Sequence, residues 1–199
     1  MQIKQAAKAI FFTISLALGS TMPAMAHTGV DGGDHHGAFL SGLLHPLTGT
    51  DHLAAMLAVG IWSAVALRNT WQAPLAFVVL LAVGALAGFA GFQPPGVEPA
   101  IAASILVLGL LISWRQALPL GSMVPLVGVF AFFHGVAHGA ELSGSSAMPA
   151  LAGMVLTTAG LHLAGVGLGR LVLAHQHRAR QVVGATLTML GTWLLMQAA

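Results

Sequence analysis

Two short stretches of this chain gather the residue types that can hold a cation. The first, His45 to Met56, reads HPLTGTDHLAAM, and the second, His134 to Glu141, reads HGVAHGAE. On a helix each residue advances by about 100°, so His138 falls about 40° from His134, and Glu141 about 20° from it on the other side. The three side chains therefore share one face, the arrangement that brings two imidazoles and a carboxylate to a common metal ion. His45 and His52 would also be nearly eclipsed on a regular helix, but Pro46 and Gly49 lie between them. Proline lacks the backbone donor and glycine loosens the chain, so a broken helix with freed carbonyls is expected there.

The surroundings penalise these groups. Of 199 residues, 57% are hydrophobic and 6% charged, with a mean hydropathy of +0.88, against roughly 25% charged in soluble domains. An all-α integral membrane protein is expected. An Asp at the centre of a transmembrane helix costs about 2.5 to 3.5 kcal/mol, so Asp51, at the head of an apolar run that continues through Val65, reads as functional. The isoelectric point near 10.0 reflects seven Lys and Arg against five Asp and Glu, a net charge of +2. So sparse a charge is no nucleic-acid footprint. Cysteine is absent, which excludes disulfides, thiolate metal sites and cysteine nucleophiles. No phosphate-cradling Gly-rich loop is present either.

Along the chain, Met1 to Ala26 carries Lys4 and Lys8, an apolar stretch from Ala9 to Leu18, and Ala24-Met25-Ala26. That is the anatomy of a cleaved secretory signal peptide, the apolar part being short of the ~20 residues a span needs. Residues 27–37, HTGVDGGDHHG, then form a periplasmic His-rich tail. Its first residue, His27, would set an imidazole beside the free α-amine, with His35 and His36 near. It either collects a soft divalent cation loosely or is a solvated tail.

Six apolar segments follow, at about Phe39–Leu67, Trp71–Phe92, Val97–Trp114, Leu118–Leu142, Ala147–Leu173 and Gln181–Ala198. None alternates with period two, so they read as a six-helix transmembrane domain over 38–199. Arg68, Arg115, Arg170, Arg178 and Arg180 all fall in the loops after the first, third and fifth segments, and the other loops carry none. This positive-inside bias places both mature termini in the periplasm of a bacterial inner membrane. Small residues recur at Gly84 and Gly88, Gly135 and Gly139, and Gly165, Gly167 and Gly169, a spacing that lets helices approach closely in lipid.

In that topology the first segment enters from outside and the fourth leaves toward it. His45 then lies level with His138 and Glu141, and Asp51 and His52 with His134. His162 lies near or below the middle of the fifth segment, either as a lower step on the same route or as a histidine bonded to a carbonyl across an interface. Asp51 is a candidate to orient His52. Met56, one turn below His52, is a soft donor or simple packing. His175 and His177 belong to a solvated loop. Imidazole with carboxylate and no thiolate suits Ni, Co, Zn or Cu(II) and disfavours Mg and Ca. A haem-binding or other His-ligated membrane redox protein is the alternative reading. A metallohydrolase fits less well, because HGVAH lacks the glutamate that follows the first histidine of HEXXH.

HPLTGTDHLAAMLAVGIWSA at 45 to 64, with FFHGVAHGAE at 132 to 141, resembles the HupE/UreJ family of nickel permeases that serve hydrogenase and urease maturation. The likeness extends over the whole mature chain in length and layout, and its one departure in these motifs is Ala54, where the family pattern has Leu. The resemblance implies that His45, Asp51, His52, His134, His138 and Glu141 handle the metal, and that the ion is nickel. It further implies transport in place of catalysis, no tightly bound cofactor, and a hand-off to cytoplasmic nickel chaperones.

Overall fold

The computed structural model describes residues 35–142, 144 and 146–198. The expected signal peptide and His27 lie outside them. Among the described residues every regular element is helical: α1 His35–Thr48, α2 Thr50–Ala66, α3 Gln72–Phe89, α4 Val97–Trp114, α5 Leu120–Glu141, α6 Ala147–Leu168 and α7 His177–Ala198. A five-residue π turn, Gly169–Leu173, extends α6. The expected break in the first segment occurs at Gly49, whose φ of −88° and ψ of 119° are extended. Pro46 is accommodated inside α1.

Among the described residues, four helices are long and apolar enough to cross a membrane: α3, α4, α5 and the 27-residue Ala147–Leu173. They make this a multi-pass membrane protein. α2 is apolar but shorter, and α1 alone is shorter still. α7 begins at His177, four residues before the expected start, and is diluted by Arg178, Arg180, Gln181, Thr186, Thr188, Thr192 and Gln197. Six apolar segments thus become seven helices, of which four are spans by length and apolarity.

Three tight helix pairings build the bundle: α3 with α5, α4 with α7, and the broken α1–α2 with α6. Glycines make each possible. A Cβ on Gly84 would strike the Phe132 carbonyl, one on Gly135 the Leu81 carbonyl, and one on Gly139 the Ala85 carbonyl, so α3 and α5 pack backbone on backbone. Gly109 and Gly184 do the same for α4 and α7, and Gly60 and Gly165 for α2 and α6. Lipid tails are as apolar as leucine, so this close approach, and not a hydrophobic drive, associates the helices. Of the expected small residues, Gly167 is the exception, since it faces open space.

The apolar core runs from the histidines, which it meets at Phe77, toward the opposite end of the bundle. Trp62, Val65, Phe77, Leu108, Ile112, Met123, Val127 and Leu173 are all buried within it. At the end of the bundle that carries the arginines, side chains bond to groups in the loops and at the end of α2. The Trp62 indole donates to the Gln116 carbonyl at 2.8 Å, and the Arg115 Nε to the Val65 carbonyl at 2.6 Å. Ser63 donates to the Thr70 carbonyl, and Arg170 to the Thr70 hydroxyl.

These crossings yield a contrast between two glycines. Gly135→Val should lower the stability of the detergent-solubilised protein by about 1 to 3 kcal/mol through overpacking. Gly167→Val should leave it within about 0.5 kcal/mol. Thermal denaturation followed by far-UV circular dichroism checks this, and equal shifts for both would refute the packing account.

Candidate metal centre

The break at Gly49 sets up the first part of the site. α2 starts at Thr50, so Asp51 falls in its first turn, where the free N–H groups favour a carboxylate. The Asp51 Oδ1 folds back to accept from the His52 backbone N–H at 2.8 Å and from its Nδ1 at 2.9 Å. A Cβ on residue 49 would stand 2.9 Å from that same oxygen and 3.2 Å from the His52 Nδ1. The glycine therefore gives the carboxylate its room. With Nδ1 donating, the neutral His52 ring carries its lone pair on Nε2.

α5 supplies the facing groups. His134 donates from Nδ1 to the Phe130 carbonyl of the preceding turn at 2.8 Å, again leaving Nε2 as the lone-pair atom. His162 of α6 donates from Nδ1 to the Met56 carbonyl at 2.8 Å, with the same consequence. Three imidazoles are thus each fixed at Nδ1 by a neighbour. Their Nε2 atoms, and both nitrogens of His138, are buried with no hydrogen-bond partner among the described residues. Buried polar atoms are nearly always paired, so five orphans in one region call for an explanation.

The rings form a continuous row. His45 meets His138 with centroids 4.9 Å apart, His138 meets His52 at 4.3 Å, and His52 meets His134 at 5.0 Å. The Phe77 ring of α3 then stands edge-on to His134 at 5.5 Å and to His162 at 5.1 Å. At the outer end of the row, the His45 Nε2 donates to the Glu141 Oε2 at 2.7 Å, and the His138 Nδ1 lies 3.9 Å from that oxygen. One donor atom each from His45, His138 and Glu141 lies within 4.8 Å of the other two. Ligands around a tetrahedral ion with ~2.05 Å bonds are roughly 3.3 Å apart, so modest rotations would close this group on a cation. An ion bound there requires the His45 Nε2 proton to leave or to move to Nδ1.

Exposure falls along the row. The Glu141 side chain is 52% exposed and that of His45 24%, while His134 is wholly buried. From Glu141 to His134 the helix advances ~10 Å, and from Ala147 to His162 ~22 Å. His162 therefore lies further along α6 from the exposed end of the row than His134 does along α5. Beyond it, among the described residues, only the apolar core separates the row from the arginine end.

The structure brings His45, Asp51, His52, His134, His138 and Glu141 together, and joins His162 to them through Phe77. Asp51 is not part of the His45–His138–Glu141 group. It holds His52, and it also lines a cavity of ≈ 200 Å³ with Glu98, Ile101, Ala102, Leu194, Gln197 and Ala198. Met56 is fully buried, its sulfur accepting from the Thr158 hydroxyl at 3.4 Å. His175 and His177 are exposed at the arginine end. Sequence reasoning passed over Phe77 and Glu98. No local spacing marks the phenylalanine, whereas Glu98, one of only five acids in the chain, carried a signal in its rarity.

Comparison with known proteins fits this arrangement. No solved structure matches the chain. Protein HupE of Rhizobium leguminosarum bv. viciae is 40% identical over 179 residues, covering 88% of this chain and 92% of the relative. The model of the family described as HupE / UreJ protein matches residues 15–194, and so takes in both histidine stretches and every helix that carries them. The chain belongs to the HupE/UreJ family.

Proposed function

We propose that this protein is an inner-membrane permease that takes Ni²⁺ from the periplasm and passes it to the cytoplasm along the imidazole row, with Co²⁺ as its nearest competitor. The observation that carries the proposal is the set of buried, unpartnered imidazole nitrogens, three of them left as Nε2 lone pairs by anchored Nδ1 atoms. A lone pair aimed into a closed space suits a late first-row divalent ion, and nickel is the ion the family resemblance implies. In this reading α1 and α2 together make one span and α7 the sixth, after a signal peptide is cleaved. His27 and the tail then face the periplasm, where they can gather ions before entry.

The path divides by charge. The ion first meets the Glu141 carboxylate with His45 and His138, where it exchanges water for one anionic and two neutral donors. Deeper stations, at His52, His134 and His162, are imidazoles, the carboxylate bonded to this part of the row being that of Asp51 behind His52. Neutral donors hold a dication less tightly than carboxylates do, and a site that conducts must release what it binds. An inward potential contributes about 4.6 kcal/mol per 100 mV to a divalent ion, twice the unit-charge value, so passive facilitation is sufficient. Cytoplasmic nickel chaperones of hydrogenase or urease would receive the ion.

The haem reading fares worse against the geometry. Histidine rings in edge or tilted contact, with centroids 4.3 to 5.0 Å apart, leave no slab in which a porphyrin could lie between axial ligands.

Two experiments test the proposal. His52→Ala and His134→Ala should each abolish ⁶³Ni uptake into proteoliposomes under an imposed inside-negative potential, with protein incorporation unchanged; wild-type uptake in both variants would remove the site. Asp51→Asn and Gly49→Ala should each raise the half-saturating nickel concentration by about 10- to 100-fold, because each frees the His52 ring. The double variant should be no worse than either single one. A normal Gly49→Ala protein beside an impaired Asp51→Asn protein would refute the role given to the glycine.

A further inference from the structure

The donors are divided between two bodies. His45, His52 and His162 lie on α1, α2 and α6, which are locked together where Gly42 meets Ala150, Gly153 meets Phe39, and Gly60 meets His162 and Gly165. His134, His138 and Glu141 lie on α5, locked to α3 through Gly84, Gly88, Gly135 and Gly139. Between the two bodies the packing changes character. Among the described residues, α2 packs closely on α6 and α4, but its backbone makes no comparable approach to α5. Between α5 and the α1–α2–α6 unit, what spans the gap is side chains: imidazole on imidazole and His45 on Glu141. α3 meets that unit more sparsely than it meets α5, with Phe77 on His162.

We infer that the α3–α5 pair moves as a rigid unit against the α1–α2–α6 unit, and that an ion seated in the histidine row across their seam drives the movement. The inference rests on the transport reading and adds a moving part to it.

Backbone contacts made through glycine cannot slide, since each carbonyl is seated where a side chain would otherwise stand. Ring-to-ring contacts can, because edge-on imidazoles exchange neighbours without breaking a main-chain hydrogen bond. An ion that takes ligands from both units binds more strongly when they close around it, so it shifts the equilibrium toward the closed outer seam. At the arginine end the same seam is filled by the buried apolar cluster to which Trp62 and Val65 of α2 and Met123 and Val127 of α5 all belong. It is fastened by Ser63 and Arg170 to Thr70, in the loop that leads into α3. Closing one end of a seam between rigid bodies opens the other, and His162 then faces the exit.

The natural chain has no cysteine, so single cysteines report cleanly. Val127 lies two turns inward of His134 on the same face of α5 and looks into the shut end of the seam, while Ala85 lies inside the α3–α5 crossing. V127C and A85C proteins in lipid nanodiscs are labelled with a small maleimide, with and without NiCl₂, and the same variants are assayed for nickel uptake in proteoliposomes. The expected result is that Ni²⁺ raises the labelling rate of V127C several-fold, leaves A85C protected, and has no effect on V127C once His52→Ala is added. Labelling of V127C that ignores Ni²⁺ while uptake persists overturns the two-body movement and leaves the transport reading standing. A rise at both positions also overturns it, since the α3–α5 unit would then not be rigid. No nickel uptake by the unmodified chain overturns both readings.

Discussion

An imidazole nitrogen without a partner is among the costlier things to place inside a membrane, because no water is at hand to complete its hydrogen bonding. This bundle holds such atoms on four histidines at neighbouring levels, and much of the architecture serves to keep them so. The Asp51 carboxylate and two main-chain carbonyls bind the inner-facing Nδ1 atoms. Glycine crossings hold the helices at separations that leave the rings in contact with one another and with no other acceptor. A helix that rotated to satisfy one ring would drive a neighbouring carbonyl into a backbone already at its limit.

Charge is arranged along the same axis. The carboxylates of Glu141 and Asp51 stand at the end where the row is exposed, and the arginines of the loops at the other, with the apolar core around Trp62, Ile112 and Val127 between. A dication entering this row would meet attraction at one end, neutral donors through the middle, and then a dry barrier backed by positive charge. Such a barrier is impassable to a hydrated ion unless the helices around it move.

Much of this was readable from residue order. The third apolar segment, Val97–Trp114, is a helix with those same bounds, and the second and fourth differ from α3 and α5 by a few terminal residues. The break near Pro46 was foreseen, and it falls at Gly49 because α1 absorbs the proline. The face shared by His134, His138 and Glu141 follows from spacing alone, which is local. The start of α7 was missed because hydropathy waits for apolar residues, while Arg178 and Arg180 are already helical. The span count differs because the break at Gly49 leaves α1 and α2 each too short, and because α7 mixes threonine and glutamine into its apolar face. Phe77 and Glu98 were missed for a deeper reason: they come from α3 and α4, and which helix packs on which is a tertiary fact that no short window encodes.

Two rungs of the row, His134 and His162, are fastened to main-chain carbonyls and not to side chains. The peptide backbone is the one partner that amino-acid replacement cannot delete. Replacing a side chain around either ring would therefore change its packing while leaving in place the bond that aims its imidazole.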